Sequence, residues 1–190
     1  MEHLQDRLSK WQIMTLSREL HHDEAGIGKV CDLMLCTEAQ SAYNAAWMLY
    51  HLSAEDKRLY VSPFYDKIAD RAMEPCLHIR RGLVLSILID LSTKQNFRTD
   101  LFDFCLAHVV DKKESDSSRS MMIKLAAKMC RFVPDLSNEL AACLDSKHSV
   151  NHVFSSPTSI INFTSKKPSY DDTRRSGRDN ELLQRAQNDL

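Results

Sequence analysis

Leu49, Leu85 and Leu125 occupy matching places in three apolar helical segments, 36 and 40 residues apart. Each of those segments follows a more polar, capped one. The spacing falls in the range of roughly 35–47 residues found in two-helix solenoid repeats. A single hairpin of this kind cannot cover its own apolar face, so neighbouring hairpins must stack to supply the core. The pattern therefore predicts an all-α superhelix of about three hairpins: 27–35 with 41–52, 62–73 with 74–92, and 98–110 with 115–133. Terminal helices at 2–20 and 135–144 are expected to cap the ends, with Leu4, Leu8, Trp11 and, less regularly, Ile13, Leu16 and Leu20 turned toward the core. The run Leu83–Leu91 is hydrophobic nearly all round, as suits a helix covered on two or more sides.

Composition agrees. The 190 residues hold only four Gly and five Pro, and aromatics make up 7%, which favours helices over a turn-rich β fold. Residues 1–145 read as the helical repeat domain. Residues 146–190 turn rich in Ser, Thr and Asn and read as a loosely ordered tail, with a short helix at 179–189. The six cysteines lie within apolar helical patterns and suggest no disulfide framework. They read as reduced core thiols of a cytoplasmic protein. No stretch reaches the roughly 18 apolar residues of a membrane span, and the charged N-terminus has no signal-peptide core. A net charge of −1 lacks the basic excess of a general nucleic-acid binder.

The segments "AAWMLYHLS", "HIRRGLVLSILIDL", "SSRSMMIKLAAKMCRFVPDLSNELAACLD" and "RRSGR" resemble, in that order, a family of small bacterial HEAT-like proteins. The resemblance covers residues 7 to 145 and is looser beyond. It implies a HEAT/armadillo-like, right-handed superhelix of stacked hairpins. Members of the family are often labelled adenylosuccinate lyase. The Ser-rich stretches here, "SDSSRSMM" and "FSSPTSIINFTS", lack the glycines that the mobile catalytic loop of such a lyase needs. After "RRSGR" the family tends to run basic, whereas this chain continues "DNEL".

Catalytic motifs are otherwise missing from the sequence. It has no Gly-rich phosphate loop, no nucleophile elbow and no Cys–His pair of recognisable spacing. His148/His152 have the i, i+4 spacing of two metal ligands, but no third ligand lies nearby. His21/His22 and Cys105 with His108 are likewise incomplete sets, so neither metal nor cofactor is expected.

Binding is the remaining class. Trp47 and His51 share one helix face and suit the edge of a recognition groove. Lys124, Lys128 and Arg131 recur at helical spacing on the second helix of the third pair, and Arg80 and Arg81 open the corresponding helix of the second pair. On a concave face these cations would form one stripe able to hold another protein or an acidic peptide. The sequence thus favours a non-catalytic interaction module whose binding residues are Trp47, His51, Arg80, Arg81, Lys124 and Lys128. Two enzyme readings stand beside it. One is the lyase of the resemblance. The other is a glycosylase of alkylated DNA, an analogy at the level of helical-repeat folds alone.

Overall fold

The computed structural model describes residues 2–75 and 81–145. Arg80, Cys76, the His148/His152 pair and the 146–190 tail lie outside the described residues. Among the described residues every regular element is helical.

The elements follow in short succession. After a 3-10 turn at Glu2–Gln5 come α1 (Lys10–Glu19), α2 (Glu24–Leu35) and α3 (Ala39–His51). A near-continuous helical run follows. It starts as α4 (Ala54–Asp56), rewinds through a π segment (Lys57–Val61) and a 3-10 turn (Ser62–Phe64), and ends as α5 (Tyr65–Met73). Then come α6 (Arg81–Leu91), α7 (Thr99–His108), α8 (Asp116–Cys130) and α9 (Ser137–Asp145).

Local chemistry sets the helix starts. Ser9 and Gln12 form a reciprocal capping box at α1, and Asp23, Ser53 and Ser115 each accept a backbone N–H of the turn they open. Pro63 has no N–H for the α-helical ladder, and the chain changes its winding around it.

The hairpins pair as the sequence predicts: α2 with α3, the α4–α5 run with α6, and α7 with α8. The second helices α3, α6 and α8 pack side by side as an inner layer, flanked by α1 on α3 and α9 on α8. Leu49, Leu85 and Leu125 are all fully buried in that layer. Gly82 lets α6 approach the start of α8, because a Cβ there would lie 3.0 Å from Ser117 Oγ and 3.3 Å from Ser118 N. Polar ties join the repeats. The buried Asn44 amide donates to the carbonyls of Leu4 (2.9 Å) and Asp6 (2.8 Å). Arg71 donates to the Cys36 carbonyl at 3.0 Å. Arg98, at the start of α7, reaches the Asp66 carbonyl at 3.1 Å and Asp70 Oδ1 at 2.7 Å on α5.

Some local expectations are corrected. The segment 2–20 is not one helix: a 3-10 turn ends at Gln5, an irregular stretch follows, and Ser9 caps α1. Trp11, expected toward the core, is 74% exposed, while Ile13 is buried as expected. Glu38 caps α3, accepting from Gln40 N and Ser41 N. The helical run of the second hairpin begins at Ala54, ahead of the expected 62–73. Glu114, in a segment that reads as a charged linker, is buried.

Candidate binding surface

The inner helices keep one strip of positions open. On α3 it holds Tyr43 and Trp47, half-buried, and Tyr50, exposed. On α6 it holds Leu83 and Ser86, half-buried, and the exposed Asp90. On α8 it holds half-buried Met121 and Lys128 with the exposed Lys124, and Arg131 follows just beyond the helix end. The helical period puts these positions on one face of each helix, and the three helices are neighbours. The strip is aromatic at the α3 end and cationic at the α8 end.

A cleft of about 570 Å³ opens at the aromatic end, between the α1 start and α3. Arg7, Lys10, Gln40, Tyr43 and Trp47 line it, with Leu8 and Ser9. Tyr43, Trp47 and His51 follow one another at i, i+4 and i+8, with ring centroids 5.6 Å and then 6.4 Å apart. Trp47 packs on the core and also lines the cleft. His51 is held below its usual pKa, first by burial and then by the charges of Lys10 and Lys57. A neutral imidazole beside two cations marks an electropositive rim. An arriving anion would lower the energy of its charged form.

The cationic end divides into a free charge and a structural one. Lys124 is exposed. The Lys128 ammonium instead donates to the Ile89 carbonyl of α6, and its pKa is lowered by burial and by Arg131, against the pull of Asp90. Asp90 in turn pairs with the buried Lys57 (2.6 Å). Lys57, Asp90 and Lys128 thus form a charge ladder along the ends of successive repeats.

Arg81 departs from the sequence expectation. Its side chain is fully buried. The guanidinium meets Glu114 at 3.2 Å, donates to the Glu74 carbonyl at 2.9 Å and lies 4.9 Å from the centre of the Phe104 ring. A cation enclosed in this way offers nothing to a partner at the surface. Spacing alone cannot distinguish it from Lys124, because the buried countercharge comes from a loop 33 residues away in sequence. Of the remaining expected residues, Trp47 lines the cleft with His51 beside it one turn on, and Lys124 and Lys128 lie together on α8. Arg7, Lys10 and Tyr43 add to the surface. The i, i+4 pair Tyr43/Trp47 and the capping box placing Lys10 at a helix start were the signals available for them.

Three of the described thiols, Cys31, Cys105 and Cys130, are buried, while Cys36 and Cys143 are half-buried. Cys31 and Cys105 are buried and free, and burial pushes each up to about 12, aided at Cys31 by Asp32. Thiols so held stay protonated and unreactive near neutral pH. Among the described residues no helix is long and apolar enough to cross a membrane.

No curated protein and no solved structure matches the chain. The family model of the HEAT repeat domain, however, matches residues 1–161. With the all-helical architecture and its three stacked hairpins, this match establishes that the chain belongs to the HEAT repeat domain family.

Proposed function

We propose that the chain is a non-catalytic interaction module that takes an acidic segment of a partner protein along the open strip of α3, α6 and α8. The supporting observation is the cleft beside Trp47. It joins a fixed aromatic wall to the cations Arg7 and Lys10, and the strip it begins ends at the exposed Lys124. Aromatic side chains give contact area at low entropic cost, and exposed cations select an anionic partner and speed its arrival. HEAT repeats commonly serve protein interaction, which fits this surface. In this reading Trp47 anchors, His51 and Lys10 edge the groove, and Lys124 with Lys128 receives the far end of the segment. Arg81 supports the surface from within.

The test is a displayed library of acidic, neutral and basic peptides, some with an aromatic residue, followed by affinity measurement on the hits. Acidic peptides should dominate, bind more weakly as salt rises, and lose affinity in Trp47→Ala and Lys10→Glu. Hits that are mostly neutral or basic, or affinities unmoved by both substitutions, would discard the surface.

A further inference from the structure

Two histidines in the α1–α2 connection converge on one buried carboxylate. Asp56, at the end of α4, is only 1% exposed. His21 Nδ1 lies 2.8 Å from its Oδ2, and His22 Nδ1 lies 3.3 Å from its Oδ1. The backbone N–H of His22 donates to Oδ1 at 3.2 Å, and the Ser53 hydroxyl donates to Oδ2 at 2.7 Å. The two imidazole centroids are 3.8 Å apart, and more than half of each histidine side chain is exposed. One ligand atom from each of the three residues lies within 4.8 Å of the other two.

We propose that His21, His22 and Asp56 form a site for a divalent transition-metal ion of the zinc type. The donor set is two imidazole nitrogens and one carboxylate, which suits zinc-like ions and not magnesium or calcium. With metal–ligand bonds of about 2.0–2.1 Å, a tetrahedral site has ligand–ligand edges of about 3.3 Å. The His21 and His22 nitrogens flank the two oxygens of Asp56 at 2.8 and 3.3 Å, and one ligand atom of each residue lies within 4.8 Å of the others. Side-chain shifts of about an ångström therefore bring the three donors to tetrahedral spacing around one ion. Asp56 is already oriented by Ser53 and the His22 N–H, as metal-binding carboxylates usually are. His22 is the one described non-glycine residue with positive φ, at 59°. That backbone is disfavoured for a residue with a Cβ, and here it brings the imidazole back over Asp56. Three protein ligands leave a fourth position to water or a partner group. The bound ion would pin the α1–α2 connection to the helical run of the second hairpin. The proposal stands apart from the peptide-binding reading, since it uses none of the same residues.

Titration of metal-free full-length chain with Zn²⁺, followed by calorimetry and thermal unfolding, tests it. One ion per chain and a raised Tm are expected, with Mg²⁺ giving neither. His22→Gly keeps the backbone, since glycine adopts φ 59° freely, and removes a ligand. His21→Ala alters an exposed side chain. Each should fold and bind Zn²⁺ roughly tenfold more weakly or worse. Co²⁺ should give a d–d spectrum without the intense thiolate charge-transfer band. Absence of Zn²⁺ uptake, uptake undiminished in both variants, or a thiolate band would overturn the site.

Discussion

Arg81 and Glu114 meet at 3.2 Å with both side chains fully enclosed, the first residue of α6 facing the loop between α7 and α8. The pair joins the second hairpin to the third. Removing one member leaves a buried charge uncompensated, which typically costs about 3–5 kcal/mol. Arg81→Met should therefore destabilise the chain on that scale in urea unfolding. Arg81→Met with Glu114→Leu should recover most of the loss, because desolvation of both charges is then relieved. A double variant as unstable as the single would mean that the Phe104 and Glu74 contacts of Arg81 matter more than its charge partner.

Lys124 and Lys128, one turn apart on α8, should separate binding from stability. Lys124→Glu alters an exposed side chain, so stability should stay within about 0.5 kcal/mol while affinity for an acidic peptide falls. Lys128→Glu removes the ammonium that donates to the Ile89 carbonyl and places a carboxylate beside it. A loss of about 1.5–3 kcal/mol is expected in denaturant unfolding. Equal stability in the two variants would contradict the anchoring role of Lys128.

The His51 imidazole offers a pH readout. Its pKa is depressed below 6.5 by burial, Lys10 and Lys57. The unfolded chain therefore binds this proton more readily than the folded one. The contribution of His51 to stability then rises with pH through the window between the depressed value and 6.5. An NMR titration should find the midpoint below 6.5, and Lys10→Ala should move it upward. A midpoint unmoved by that substitution would remove Lys10 from the electrostatics of the cleft.

Asn44 ties the N-terminal turn to α3 through the Leu4 and Asp6 carbonyls. Asn44→Ala strips these acceptors of their donor, at a cost of about 1–3 kcal/mol. Amide exchange in residues 10–19 should quicken, because that tether holds the segment leading into α1. Unchanged exchange there would show α1 to be secured by its own packing on the core, through Ile13, Leu16 and Ser17.

Much of the fold was legible because it rests on periodicity. The leucine register 49–85–125 follows from the 3.6-residue turn and the hairpin length, and all three leucines are buried where that register puts them. Ser9, Asp23, Ser53 and Ser115 act through contacts within three residues, so their caps are local chemistry. The proposed binding surface was legible in part. Trp47 with His51, and Lys124 with Lys128, are helix neighbours that any α-helix brings together.

The sequence by itself determined the element type, the hairpin order and the buried leucine layer, because each depends on residues close in the chain. Tertiary structure alone decided which cations are free and which are enclosed. Arg81 and Lys124 look alike in a helical pattern, and only packing supplies Glu114 to one and solvent to the other. Tertiary structure also gave His21 and His22 their carboxylate, since Asp56 arrives from the next outer helix 35 residues beyond His21. Charge pairing and ligand convergence depend on distances through space, which local periodicity does not specify.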